Sequence, residues 1–228
     1  MIEYVFLDLD DTILDFKKSE YVAIGKTMSD YGVEPTEALR KRYHVINKWH
    51  WEQLELGKMT RGEVLTGRFK TLFGELGLSV DPVQMQAGYE HNLSIGHYFL
   101  PGAEETVECL SKKYRLFLAS NGTAVVQKGR MTSANLYRFF EQSFVSEEIG
   151  HNKPSKAYFD AAFARIPGFD PAKALMVGDS LTSDIRGGNN AGIRTCWVNP
   201  THAPVTDGIH VDYQIEALHQ LPALLEEL

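Results

Sequence analysis

Apolar residues run almost unbroken from Ile2 to Leu9 (Ile-Glu-Tyr-Val-Phe-Leu-Asp-Leu), and the run stops in a cluster of aspartates. A continuous apolar run of this length predicts a central strand of a parallel sheet, covered on both faces. Comparable runs recur at 115–119, 174–177 and 193–198, with a shorter one at 143–145. Helix-length segments separate them at 103–113, 123–138, 155–166 and 182–191, the last ended by Gly192. Strand and helix alternate, which predicts an α/β chain: a three-layer α/β sandwich around a Rossmann-like, mainly parallel sheet.

From Asp15 to about Tyr98 the alternation breaks. Helical pattern continues over 17–31, 36–56, 60–76 and 82–96, punctuated by Gly32-Val-Glu-Pro35, Gly57-Lys-Met-Thr60 and Gly77-Leu-Ser-Val-Asp-Pro82. Four helices inserted after the first strand predict a helical cap domain over 16–98, with 1–15 and 99–228 forming the α/β core domain. Pro101-Gly102 closes the insertion. A chain of 228 residues is long enough for one sizeable core plus a smaller lobe.

Composition narrows the function. With 43% hydrophobic and 23% charged residues the chain is neither disordered nor fibrous. The net charge is −7, with no run of five like charges, which argues against nucleic-acid coating or membrane-surface binding. An anionic substrate must therefore be drawn by a few local cations, a metal or backbone amides. Cys109 and Cys196 lie far apart in segments patterned as helix and strand, so both are expected to be small buried hydrophobes in a reducing compartment. No apolar stretch reaches about 18 residues and the start has no basic leader, so a cytoplasmic, unprocessed protein is expected. The eight histidines show no zinc spacing, and His202 and His210 fall in a loop, 200–212, whose purpose the sequence does not assign.

The chemistry lies at the strand ends. Asp8 and Asp10 sit where the first strand stops, and i, i+2 spacing aims both carboxylates at one volume at the sheet's carboxyl edge, where open α/β sheets bind ligands. Two carboxylates there need a cation between them or a shared proton. Asp179, in Gly178-Asp179-Ser180, follows the strand ending at Val177, and Asp184 lies one turn into the next helix. Ser120-Asn121-Gly122 follows another strand with a hydroxyl and backbone amides at a helix start, an anion cradle. Lys153 precedes a helical segment. Singly, each has a plainer reading: a turn or N-cap at Asp8 to Thr12, helix capping at Asp179, a tight turn at Asn121-Gly122, a solvated surface lysine at 153. Jointly they put carboxylates, a hydroxyl and a lysine at one edge.

Asp-x-Asp-x-Thr (8–12), Ser-Asn-Gly (120–122), Lys-Pro (153–154) and Gly-Asp-x-x-x-x-Asp (178–184), in this order, resemble the four motifs of the haloacid dehalogenase (HAD) superfamily, and the insert resembles its C1 cap. The resemblance implies an aspartyl-phosphate enzyme. Asp8 would be the nucleophile and Asp10 the general acid and base. Mg²⁺, with Mn²⁺ or Co²⁺ able to substitute, would bind Asp8, the backbone carbonyl of Asp10 and Asp179. Ser120, Asn121 and Lys153 would hold the phosphoryl oxygens, with Thr12 and Asp184 in support. The superfamily's carbon–halogen hydrolases have no aspartate at position 10 and use no metal, so Asp10 points to phosphoryl chemistry.

Asn47-Lys48 with Trp51, Gly57-Lys58-Met59-Thr60, Gly67-Arg68-Phe69, Val145 to Gly150 and Cys196-Trp197-Val198-Asn199 resemble the superfamily's bacterial pyrimidine 5'-nucleotidases. That likeness implies a small-molecule phosphate monoester as partner, a nucleoside monophosphate such as UMP, dUMP or dTMP, and a monomer or homodimer. Sugar-phosphate and acylneuraminate 9-phosphate phosphatases of the superfamily share much of the pattern and stay open as alternatives. A phospho-acceptor signalling module is the alternative from another class, against which Asp10 and the insert argue. For the substrate pocket the candidates are Phe16, beside the first motif, and Trp51. Tyr43, Ile46, His50 and Leu54 fall at helical spacing, which bundle packing explains. Gly187 to Gly192 lacks the lysine of a phosphate loop and is expected to be a helix end.

Overall fold

The computed structural model describes residues 1–228. In chain order the elements are β1 (Tyr4–Leu7), α1 (Phe16–Asp30), α2 (Glu37–Glu55), α3 (Arg61–Leu76), α4 (Pro82–Ser94), α5 (Ala103–Ser111), β2 (Arg115–Ser120), α6 (Ala124–Ser133), β3 (Gln142–Val145), α7 (Ser146–Ile149), α8 (Lys156–Phe163), β4 (Ala174–Gly178), α9 (Arg186–Ala191), β5 (Arg194–Val198), β6 (Tyr213–Ile215) and α10 (Leu221–Glu226). All six strands pair in parallel, in the order β3-β2-β1-β4-β5-β6.

Why β1 reads as a solid apolar run is visible in its two faces. Val5 and Leu7 point into one cluster, with Leu116, Leu118, Leu175 and Val177 from neighbouring strands and Val107, Leu110 and Leu221 from helices. Tyr4 and Phe6 point into the other, with Phe117, Phe144, Met176 and the α8 residues Tyr158 and Phe159. Helices cover both faces, which makes three layers.

The insert packs around its own apolar cluster: Ile24 and Met28 of α1, Tyr43 and Ile46 of α2, Phe69 and Leu72 of α3, Met85 and Tyr89 of α4. Local signals place its helix ends. Thr36 and Asp81 cap α2 and α4, and Thr60 and Glu63 form a reciprocal capping box on α3. Two connectors join insert to core, and they pair: Asp15 N–H donates to the Tyr98 carbonyl at 2.8 Å and Leu100 N–H to that of Ile13 at 3.0 Å. Core helix α6 meets the insert closely, since a Cβ on Gly129 would lie 2.7 Å from Ser94.

Two sequence expectations are corrected, and one strand was not predicted. The helix expected over 123–138 ends at Ser133, because Asn135 takes a left-handed conformation (φ 52°) that stops it. β6 carries no periodic signal, being three residues of which only Ile215 is buried. Cys109 is exposed, because α5 buries Ala103, Thr106, Val107 and Leu110, and Cys109 lies off that stripe; Cys196 is buried as expected. Gly192 ends α9 in a left-handed C-cap, as its context predicts. No helix is long and apolar enough to cross a membrane.

Candidate active site

Strand order reverses between β1 and β4, and the crevice beyond their carboxyl ends is where a sheet of this type admits a ligand. Asp8 follows β1 and is anchored by its N–H to the Val177 carbonyl of β4 at 3.0 Å. The chain then turns sharply. Asp11 takes φ 55°, and its carboxylate accepts the Phe16 N–H at 3.0 Å, which turns the chain into α1.

Carboxylate oxygens of Asp8, Asp179 and Asp184 all lie within 4.8 Å of one another. Asp184 reaches them from one wide helical turn over 181–185, in which the Ser180 carbonyl accepts from both Asp184 and Ile185 N–H. Gly178 is obligatory there, because a Cβ would lie 2.2 Å from the Asp184 carboxylate. Lys153 is 1% exposed, not the solvated lysine its sequence context allows. Its ammonium donates to Asp8 at 2.7 Å, to Asp184 at 2.5 Å and to the Ala119 carbonyl at 2.6 Å, so all three of its protons are committed.

Electrostatics follow from this crowding. Burial pushes Asp8 up to about 8 against the pull of Lys153, with Asp184 and Asp10 adding to the rise. Asp179 makes no ion pair or side-chain hydrogen bond, and burial together with Asp184 and Asp8 holds it well above the usual carboxylate range. Burial works against the Lys153 charge, but Asp184 and Asp8 outweigh it and keep the ammonium charged. One lysine cannot neutralise three converging carboxylates. An unpartnered carboxylate facing two others, all hard oxygen donors, fits a divalent cation such as Mg²⁺.

Ser120 ends β2. Its hydroxyl oxygen accepts from Gly122 N–H at 3.1 Å and from Gln127 Nε2 at 2.7 Å, which leaves its own O–H free to donate. The Asn121 side chain is structural: its amide donates to the Lys153 carbonyl and Ser183, and its oxygen accepts the Lys153 N–H. Gln127 Nε2 also donates to Asp10 at 2.8 Å, and the fully buried Arg130 guanidinium pairs with the other Asp10 oxygen. Thr12 is buried with its hydroxyl unpartnered, and it does not line the cavity.

These groups open into a cavity of about 490 Å³ roofed by the insert, with Phe16 and Trp51 both in its wall. Two residues of the insert reach across to the core. Arg61 bonds the Asn121 and Gly122 carbonyls, Ser146 and Asn152, while its guanidinium lies 5.6 Å from the Trp51 ring. Glu55 accepts from Thr182 at 2.8 Å.

Sequence reasoning missed Gln127, Arg130, Arg61 and Glu55. A signal existed for the first two: a glutamine and an arginine at i, i+3 on the helix that follows Ser-Asn-Gly, sharing the face of the apolar Val126. Arg61 and Glu55 left no such signal, because their partners are set by how the insert docks.

Fold and site together define a hydrolase built on a doubly wound sheet with an acidic centre at its switch point. A profile of the haloacid dehalogenase-like hydrolases matches residues 2–192, and the chain belongs to that family. Its relatives include enzymes named as phosphoric monoester hydrolases. The crystal structure of HAD-hydrolase YfnB from Bacillus subtilis bound to magnesium is 38% identical, superposes with a TM-score of 0.94 and covers 98% of each chain. Pyrimidine 5'-nucleotidase PynA of Streptococcus pneumoniae is 34% identical over 99% of this chain and 95% of its own. Pyrimidine 5'-nucleotidase YjjG of Escherichia coli is 30% identical over 98% and 97%. L-2-haloacid dehalogenase from Xanthobacter autotrophicus, 18% identical with a TM-score of 0.78 and full coverage of both chains, shares the fold.

Proposed function

We propose that the chain is a Mg²⁺-dependent phosphomonoesterase working through an aspartyl-phosphate on Asp8, and that its substrates are pyrimidine nucleoside monophosphates. One observation carries the chemistry: Asp8, Asp179 and Asp184 converge beside Lys153, in the cavity that the free Ser120 hydroxyl also lines. The substrate class is supported by the near full-length likeness to two pyrimidine 5'-nucleotidases.

A divalent cation held by the Asp8 and Asp179 carboxylates and the Asp10 carbonyl, with Asp184 beside them, would supply charge neutralisation to a phosphate dianion. The chain's own residues do the rest. Asp8 Oδ attacks phosphorus as the ester P–O bond breaks, and the leaving oxygen takes a proton from Asp10. Asp10 then receives a proton from the water that attacks the aspartyl-phosphate, releasing phosphate and restoring Asp8. Ser120 donates its O–H to a phosphoryl oxygen. Lys153, its protons already committed, keeps Asp8 placed and contributes charge. The insert acts as a cap, with Arg61 and Glu55 holding it against the core to exclude water.

Hydrolysis of p-nitrophenyl phosphate, with and without EDTA, tests the chemistry. Chelation abolishes turnover, and Asp8→Asn lowers it at least about a thousandfold. Undiminished turnover in either defeats the mechanism. A panel of monophosphates tests the substrate: preference for sugar phosphates over UMP and dTMP replaces the nucleotidase assignment with a sugar-phosphate phosphatase.

A further inference from the structure

The cavity roof holds a buried cation that no carboxylate matches. Arg68 of α3 is 3% exposed, and its partners are neutral: Nε donates to the Leu65 carbonyl, one terminal nitrogen to Asn47 Oδ1 at 2.6 Å, the other to Gln86 Oε1 at 2.7 Å. Three of five N–H groups are thus used and two remain. The guanidinium lies over the Tyr89 ring at 4.9 Å, and the Tyr89 hydroxyl is buried without a partner. Glu20 is buried too, but Asn47 stands between the charges, giving its amide proton to Glu20 at 2.6 Å while accepting from Arg68. Helix packing alone calls for apolar side chains here, and a desolvated guanidinium with idle donors is costly unless a ligand completes it.

The ligand's chemistry follows from the rest of the roof. Glu20, Glu52, Glu55 and Glu90 line it against Lys17, Lys48 and Arg68, so it does not favour a second anionic group on the substrate beyond its phosphate. What suits Arg68 is a neutral group with carbonyl acceptors, flat enough to lie against a ring in the cavity wall such as Trp51. We propose that Arg68, braced by Asn47 and Gln86, is the specificity-determining residue of the cap, donating to a carbonyl oxygen of the pyrimidine base. This rests on the nucleotidase reading and names the group that enforces it.

The test is kcat and KM for UMP, ribose 5-phosphate and p-nitrophenyl phosphate in the wild type, Arg68→Gln and Asn47→Ala. In Arg68→Gln the ratio of kcat/KM for UMP to that for p-nitrophenyl phosphate falls about 10- to 100-fold, chiefly through KM, as expected for a lost charged hydrogen bond. A parallel fall on all three substrates, or an unchanged ratio, overturns the proposal. Asn47→Ala keeps the cation and removes its brace; it lowers the same ratio and carries the test if Arg68→Gln does not fold. If the wild type prefers ribose 5-phosphate to UMP, the nucleotidase reading has failed, whatever Arg68 does.

Discussion

Arg130 and Asp10 are 120 positions apart in the chain, yet the buried guanidinium of the first is paired with the carboxylate of the second. Arg130 also donates to the Gly96 carbonyl, where the insert ends, and lies 5.8 Å from the Phe16 ring, where it begins. Gln127 completes the arrangement, since one amide nitrogen bonds both Asp10 and Ser120, which keeps the Asp10 carboxylate within two hydrogen-bond lengths of the serine hydroxyl. The aim of Asp10 is thereby tied to the place where insert and core meet.

If Arg130 positions the proton donor, its loss matters most where the leaving group needs the proton. Arg130→Ala lowers the ratio of kcat on an alkyl phosphate to kcat on p-nitrophenyl phosphate about 10- to 100-fold, a part of the range spanned by general acid catalysis. Arg130→Lys recovers some of it. Steady-state kinetics on the two substrates checks this, and an unchanged ratio assigns Arg130 to stability alone.

Lys153 holds two buried carboxylates together. Lys153→Met strands Asp8 and Asp184 and lowers unfolding free energy by about 3–5 kcal/mol at pH 8, as in other broken buried pairs. The loss is smaller at pH 5, where Asp8, pushed up to about 8 by burial, is protonated and needs no cation. Urea unfolding in EDTA at both pH values measures it, and a change under about 0.5 kcal/mol, the scatter of a surface substitution, would contradict the pairing.

Burial pushes Glu55 up to about 7, against the hydrogen bond from Thr182 that pulls it down. Between the ordinary carboxylate value and about 7 the folded chain therefore holds a proton that the unfolded chain has lost, so stability falls as pH rises across that interval. Glu55→Gln removes its share of the dependence and leaves that of Asp8 and Asp179. Melting temperatures in EDTA from pH 5 to 8 should show wild type losing ground to Glu55→Gln, and parallel curves would refute the shift.

Arg61 meets four acceptors on the core and none within its own helix bundle. Arg61→Ala loosens the cap and lowers kcat/KM about tenfold on every phosphomonoester, while connector residues 13–15 become more open to limited proteolysis. Unaltered kinetics and digestion would show that Arg61 does not hold the cap.

Much of the fold was legible. β1 announced itself because both of its faces are buried, and the insert's helices because their caps are local: Thr60 and Glu63 sit three residues apart, and Gly77 takes the left-handed conformation that ends α3. β6 was not legible, because a three-residue edge strand with one buried side chain has no period to detect. Asp8, Ser120, Lys153 and Asp179 were legible as chemistry, since each follows a strand or precedes a helix at a recognisable spacing.

The chain order of β and α segments, and the delivery of acids, a hydroxyl and a lysine to one sheet edge, follow from the sequence by itself, because backbone periodicity converts residue spacing into direction. Tertiary structure alone decided which polar atoms are already engaged. Lys153 has no proton to spare, Ser120 has one, Asp10 belongs to Arg130 and Gln127, and Arg68 lacks a carboxylate. Hydrogen bonding falls away within a few tenths of an ångström, and these partners come together only when separate helices and strands pack, so no local pattern records them.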